Sequence, residues 1–545
     1  MLRSIGSSVF ASVSLSAIAA AQVLVHEVTG PSVGAGLGFA VAGIGDVSGD
    51  GVPDFIAGAP GDFVNGSQPG KALVYSGFNG ALLYSVTGQT ATDGFGLCVA
   101  RLGDIDGDGR PDFIVGAPYS DVSGLDAGSA YVFSGATGTL VHAVHGSAPG
   151  DAFGWSVTGL SFDPGSTPDF AVGAPLADAP LHDSGRATVY SGATGLALGS
   201  YTSGSALDQL GYAMTCVHYA PHAADLLIVS APFANSNGVR SGSVNVRGFL
   251  PVASFDIQGP AYHTLFGKSV VVAQHQTNQS AARIYVHSLS GNATATVSLV
   301  APLGSGVQCE DLYPGLTAIS SAGDVSGSGD EELVYSQNGI VRLSSGTGCP
   351  SSFPLSSVSG SSSFGFAVGS VGDLNGDGKS EFIVGEPGGG TDGRGKVKVY
   401  TAGFTQAAPY CTAKQNSLGC TPSIASSGVP SLSIGDNFVV SAKQVLNNRV
   451  GMLVWSLHQT SLPFGGGTLC VGPLVQRTPL QLSGGNVGVD DCSGAYGFHF
   501  SHAYMNAAAW FPGLQVHAQY YSRDGGFAPP NNLGLTAGLR FTVIP

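Results

Sequence analysis

The chain has 545 residues, too many for one ordinary globular core, so several domains or one large repeat domain with an appendage are expected. Only 10% of its residues are charged while Gly reaches 84 and Pro 30, a balance that disfavours long helices and favours short strands joined by tight turns. The net charge of -15 excludes nucleic acid and anionic membrane as partners and suits a binder of divalent cations.

Residues 1–21 are expected to form a secretory signal peptide. Arg3 supplies a positive start, Ile5 to Ile18 a moderately apolar stretch, and Ala19-Ala20-Ala21 a small-residue cleavage site. Ser and Gly dilute this stretch, which is short for a membrane anchor, and no later segment has the run of apolar residues a span needs. A secreted product, extracellular or at a cell surface, is therefore expected. Export permits disulfides among the eight cysteines. Proximity groups Cys411 with Cys420, Cys470 with Cys492, and Cys309 with Cys349 across one repeat, although spacing does not determine connectivity. Cys98 and Cys216 lie in apolar strand-like runs and read as buried free thiols.

A repeat runs from residue 22 to 404. Each unit has an apolar strand such as "ALLYSVTG", a Phe-Gly or Leu-Gly pair, a loop leading into "FIVGAP", and a strand such as "SAYVFSGATG". The pair's glycines fall at Gly38, Gly96, Gly154, Gly211, Gly267 and Gly365, a period of roughly 57 residues, with one weaker copy inside the last interval. Seven units of four short strands predict a seven-bladed β-propeller, in which stacking gives each small sheet two neighbours. The last unit ends at "GKVKVYTAG" without its outer strand, whereas "QVLVHEVTG" (22–30) is such a strand with no unit before it. Residues 22–30 are predicted to supply the outer strand of the seventh blade and close the ring.

Three units carry acidic loops, "GDVSGDGVPDFIAGAP", "GDIDGDGRPDFIVGAP" and "GDLNGDGKSEFIVGEP". Oxygens at alternate positions converge on one point, Gly at the sixth permits a sharp turn, and Ca2+ takes six to eight such oxygens. The second loop offers Asp104, Asp106, Asp108 and Asp112 with the Arg110 carbonyl. The first offers Asp46, Ser48, Asp50 and Asp54 with the Val52 carbonyl, and the seventh Asp373, Asn375, Asp377 and Glu381 with the Lys379 carbonyl. Position twelve, where an EF-hand needs Glu, is Ala57, Val115 or Val384, so these are hairpin sites. An Asp/Gly-rich solvated turn is the bland alternative. Against it, two carboxylates about 4 Å apart repel by a few kcal/mol at a surface-like dielectric. The sixth loop has Asp324, Ser326, Ser328, Asp330 and Glu332 and stays outside the metal set. The third keeps only Asp163 and Asp169, and the fourth and fifth lack the pattern, so these three blades are expected to hold no metal.

Phe95-Gly96, the loop from Asp104 to Asp112, and Gly116-Ala117-Pro118 together resemble the FG-GAP repeat of integrin α-subunit propellers and their bacterial relatives. The resemblance covers roughly residues 22–404. It implies a seven-bladed propeller with calcium in hairpin loops joining the first and second strands of a blade. Integrin calcium loops cluster in the later blades, whereas these fall in the first, second and seventh, so integrin partner geometry does not transfer.

Residues 405–545 have their own cysteines and strand-like runs at "NFVVSAKQV", "GMLVWSL", "GFHFSHAY", "LQVHAQYYSRD" and "GLRFTVIP", which predict a small β-sandwich domain. The segment resembles a domain of secreted planctomycete-type bacterial proteins, which implies no activity. Trp455, Trp510, Tyr520 and Tyr521 could line a groove, but core packing is the simpler role.

Catalytic patterns are sparse. "HEVTG" has Gly30 where a zinc protease needs its second His, and "PGGGTDGRG" lacks the Lys-Ser/Thr of a phosphate loop. His218 with His222, and His499 with His502, have ligand-like spacing but sit in turn-like or aromatic contexts. A glycosidase needs paired carboxylates, and acids are scarce outside the loops. No catalysis is expected. A binding or adhesion scaffold for an extracellular protein or carbohydrate is favoured over the alternative, a polysaccharide lyase or glycosidase.

Overall fold

The computed structural model describes residues 23–543 apart from 62–68, 164, 166, 219–224, 249–253, 261–262, 275–282, 291–293, 301–306, 314, 327–328, 345–353, 376–377, 391, 402–407, 428–429, 431, 433–435, 437 and 511–513. Among the described residues are seven four-stranded sheets, each antiparallel throughout. In the first blade the order from the axis outward is Ala40–Gly45, Asp54–Ala59, Lys71–Tyr75 and Leu82–Thr87. The innermost strands of the next five blades are Cys98–Arg101, Ser156–Leu160, Met214–His218, His263–Ala273 and Leu316–Gly323. Each lies against the innermost strand of the following blade, and Ala367–Gly372 of the seventh returns to Ala40–Gly45 of the first. The ring is closed.

Its second strands are buried on both faces because a neighbouring blade covers each side; all five residues of Phe113–Ala117 are buried. Among the described residues, seven separate apolar clusters follow the seven blade boundaries. The one between the first and second blades joins Ile56 and Val74 to Phe95, Phe113, Val115 and Tyr131. The one between the seventh and first joins Val25, Val397 and Val399 to Phe55, Leu73 and Tyr75. The glycine of the Phe-Gly pair is needed where these blades meet. Gly96 has φ +93°, and a Cβ there would sit 2.5 Å from the Lys71 carbonyl oxygen of the first blade.

The seventh sheet runs Ala367–Gly372, Glu381–Glu386, Lys396–Thr401 and Val23–Thr29, so the N-terminal strand closes the ring as its sequence predicts. Its register pairs Val23 with Thr401 and Thr29 with Lys396, with a bulge between Leu24 and His26. Val25 is buried in the shared core, Glu27 pairs with Lys396 at 2.5 Å, and His26 Nε2 lies 2.7 Å from the Gly77 carbonyl of the first blade.

In the fifth blade His287 is buried, and neither ring nitrogen has a hydrogen-bond partner. Burial, reinforced by the Lys268 ammonium, pushes its pKa down from 6.5 to about 4. The unfolded chain takes up a proton near pH 6.5 that the folded blade refuses. This stability is therefore whole above that pH and is lost as pH falls toward 4, by about 2 kcal/mol at pH 5. Melting curves between pH 7.5 and pH 5 are expected to fall by a few degrees for the native sequence and to flatten for His287→Leu, as about 2 kcal/mol implies for a large domain.

The C-terminal part is a β-sandwich. A sheet built on Ala408–Tyr410, Gly538–Thr542, Gln515–Arg523 and Val450–Ser456 faces a three-stranded sheet of Ser423–Ser427, Val439–Val445 and Gly494–His499. Trp455, Trp510 and Tyr520 lie in the core between them, with the two indoles edge to face at 4.9 Å. Tyr521 is half-buried against Phe464. Core packing is what Trp455, Trp510 and Tyr520 do. The "GFHFSHAY" run is not one strand: Ser501 caps a short helix, His502–Ala507, by accepting from Tyr504 N.

Proximity misleads on the disulfides, which join Cys411 to Cys470 and Cys420 to Cys492. Pairing of Ala408–Tyr410 with Gly538–Thr542 carries Cys411 away from Cys420, and the Tyr410 hydroxyl donates to the Cys470 carbonyl at 2.6 Å. Asn416 holds the turn before Cys420, accepting from Cys420 N at 3.0 Å, with its amide 3.5 Å from the Cys492 sulfur. Cys98 and Cys216 are free thiols pushed up to about 12 by burial. The Cys309–Cys349 pairing lies outside the described residues.

Candidate functional site: the acidic hairpin loops

Each loop joins the first and second strands of its blade, so all emerge from one rim of the ring. In the second loop the acids curl the backbone around themselves. Asp104 accepts from Gly107 N at 2.7 Å and Gly109 N at 2.9 Å, Asp106 from Asp108 N at 3.1 Å, and Asp108 from Arg110 N at 2.8 Å. One carboxylate oxygen from each of Asp104, Asp106 and Asp108 lies within 4.8 Å of the other two. An all-oxygen set of crowded carboxylates fits a hard cation such as Ca2+ and no soft metal.

The first loop is similar with fewer acids. Asp46 accepts from Gly49 N at 2.6 Å, Asp50 N at 3.1 Å and Gly51 N at 2.8 Å, while the Ser48 hydroxyl donates to Asp46 at 3.4 Å and Asp50 accepts from Val52 N at 2.9 Å. In the seventh, Asp373 accepts from Asn375 N at 3.2 Å and Gly378 N at 2.8 Å, and the Asn375 amide donates to Glu381 at 2.7 Å. Lys379 follows in the same turn, and Asp377 lies outside the described residues.

The ninth position does something the sequence reading missed. Asp54, Asp112 and Glu381 are fully buried. Asp112 accepts from Ile105 N at 2.6 Å and Asp106 N at 3.3 Å with one oxygen, and from Gly135 N at 2.9 Å with the other. Asp54 does the same with Val47, Ser48 and Gly77. Glu381 accepts from Leu374 N at 2.7 Å, and in the sixth loop Glu332 accepts from Val325 N at 2.8 Å and Ser326 N at 3.2 Å. The decisive case is the third blade, whose loop keeps only one other acid, Asp163. Asp169 still accepts from Phe162 N, Asp163 N and Gly192 N. The ninth acid is a latch tying its loop to the turn after the third strand. A signal existed: Asp54, Asp112 and Asp169 each precede a Ser-Gly pair at a separation of 23 residues.

Desolvation raises the pKa of Asp54, Asp112 and Asp169, and in each the backbone N–H bonds oppose it. Ionising these acids thus carries a desolvation cost that the backbone bonds oppose.

The histidine pairs make no metal site among the described residues. His499 pairs with Asp436 at 3.2 Å, His502 N donates to the same carboxylate, the His218 side chain and all of His222 lie outside the described residues. Asp178, His182 and Asp183 also gather at the surface of the third blade. Asp178 there accepts from Asp183 N at 2.9 Å, the bond Asp121 makes with Asp126 N and Asn235 with Arg240 N. It is a repeated turn.

Fold and loops together define an FG-GAP β-propeller protein. The FG-GAP repeat model matches residues 100–133 and 364–400. The propeller is integrin-α-like: the chain is 33% identical to integrin alpha-PS2 of Drosophila melanogaster over 28% of its length and 12% of that protein's. It is 32% identical to human integrin alpha-6 over 27% of its length and 13% of that protein's, and 39% identical to chicken integrin alpha-V over 16% and 8%. The chain thus spans only about an eighth of the integrin subunits it matches.

Proposed function

We propose that this protein is a secreted, calcium-braced binding scaffold whose two rims have separate duties. The observation that carries this is the layout of the inner strands. In five of the seven blades one or two residues separate the strand from the Phe-Gly or Leu-Gly pair before it, and in the blades with acidic loops it ends just before the loop, so pair and loop occupy opposite rims. On the rim of the pairs, the residue after each glycine is apolar or aromatic in five blades: Phe39, Leu97, Trp155, Tyr212 and Phe366. Phe39 and Phe366 touch across the closure at 4.6 Å, Trp155 meets Tyr212 at 5.6 Å, and Phe366 is 45% exposed. Rigid aromatic rings with exposed faces suit an extracellular protein or carbohydrate ligand.

On the other rim, Asp104, Asp106, Asp108 and the Arg110 carbonyl would hold Ca2+ beside Asp112. Asp46, Ser48, Asp50 and the Val52 carbonyl would do so beside Asp54, and Asp373, Asn375, Asp377 and the Lys379 carbonyl beside Glu381. The cation would supply the charge these crowded carboxylates lack and stabilise the ring by mass action, in the regime of about 10⁻⁴ to 10⁻³ M usual for extracellular modules. Export by residues 1–21 supplies that setting, and the two disulfides are compatible with it. Among the described residues no helix is long and apolar enough to cross a membrane.

The test is a panel of extracellular glycans and matrix proteins offered to the immobilised protein in calcium and in chelator. Trp155→Ala and Tyr212→Ala are expected to weaken binding about tenfold or more with an unchanged melting temperature, as loss of an aromatic anchor does. Binding indifferent to both substitutions would remove the aromatic rim from the proposal. Depolymerisation of any polysaccharide in the panel would replace the scaffold with an enzyme.

A further inference from the structure

We infer that Arg110 transmits cation occupancy of the second loop to the first, so that the two neighbouring loops respond as one unit; this rests on the calcium-holding role proposed above.

Arg110 stands at the seventh position of its loop, where the main-chain carbonyl serves the cation and the side chain does not. Its guanidinium crosses the blade boundary, and Nη1 donates to the Val47 carbonyl of the first loop at 2.6 Å. Gly49 makes this seat possible: with φ +79°, it passes so close beneath the guanidinium that a Cβ would lie 2.4 Å from Arg110 Nη2. The next residue, Pro111, covers Gly45, the residue before Asp46, where a Cβ would lie 2.9 Å from Pro111 Cγ. Two consecutive residues of the second loop therefore rest on the backbone of the first.

The first loop has reason to depend on this support. Ser48 stands where the second loop has Asp106, and both Asp46 oxygens accept backbone N–H groups. Val47, which Arg110 grips by its carbonyl, is also held by its N–H to the Asp54 latch at 3.0 Å. An empty second loop keeps Asp104, Asp106 and Asp108 in mutual repulsion, and the main chain at Arg110 shares their motion. A cation there fixes that carbonyl, hence the side chain, hence Val47. Linkage makes the effect reciprocal: a cation in the first loop favours one in the second.

Hydrogen exchange on the full chain, with Ca2+ alone as the probe, tests this. Asp50→Asn weakens the first loop's own hold on a cation. In that variant Ca2+ is still expected to slow exchange in residues 46–53 about tenfold, within the usual range of coupling between sites. Adding Arg110→Met, or separately Arg110→Gln, is expected to abolish that slowing while residues 104–112 still respond and Arg186–Tyr190 of the third blade stays protected, which shows the variant folded. Slowing at 46–53 that survives loss of Arg110, or that never occurs in Asp50→Asn, overturns the coupling and leaves the calcium proposal standing. No response at 104–112 in the native sequence overturns both.

Discussion

Deletion of residues 23–29 is expected to abolish cooperative folding of the propeller, lowering its melting temperature by more than about ten degrees or leaving no transition, since the loss rivals the whole marginal stability of a domain. Three losses add up. Lys396–Thr401 becomes an edge strand with its outer N–H and C=O groups unpaired. The core between the seventh and first blades loses Val25, a burial that contributes about 1.5–3 kcal/mol. The bond from His26 to Gly77, which crosses to the first blade, disappears. Every other boundary would survive, but a ring with one open boundary is an arc whose two ends expose sheet faces. Size-exclusion chromatography should then show association through the new edge. Glu27→Gln, by contrast, removes one partly exposed ion pair and should cost under about 1 kcal/mol. A deletion variant that melts within two or three degrees of the native chain would mean the last boundary is dispensable.

The features legible in the sequence were those carried by repetition. A glycine that must allow close backbone approach recurs once per blade, and so does a loop that must turn sharply around acids; seven blades and a strand borrowed from the N-terminus follow from counting. What escaped were contacts between residues distant in sequence and unremarkable in type. Asp112 reads as one more acid in an acidic loop, and only the fold brings Gly135 N to it. Arg110 reads as a loop residue whose carbonyl matters, and nothing local places its guanidinium on Val47. Cys411 sits nine residues from Cys420 in the chain, yet strand pairing sends them to different partners. The "GFHFSHAY" run alternates like a strand until Ser501, whose hydroxyl caps a helix instead.

The latch gives the second large prediction, because it separates two duties carried by the acids of one loop. Asp106→Asn should lower the melting temperature in calcium and change little in chelator, as the cation-holding role proposed for Asp106 requires. Asp112→Ala should cost about 3–5 kcal/mol in both, since it strands three buried N–H groups at about 1–3 kcal/mol each, less what water recovers. Asn is no remedy at this position. Its amide would turn a donor toward donors. Asp169→Ala is the sharper case, because the third blade has no acidic cage around its latch; its cost should match that of Asp112→Ala and be blind to calcium. The direction of the pKa adds a second readout. Desolvation raises Asp169 above its ordinary value, so its charged form is disfavoured in the fold. Its contribution is therefore greatest below the unfolded pKa and shrinks as pH rises through the folded one. Asp169→Ala should consequently cost more at acid pH than at neutral pH. Loss of stability in Asp112→Ala that vanishes in chelator would make the ninth acid a metal ligand and nothing more, and the matching bonds of Asp169 would then be left without a purpose.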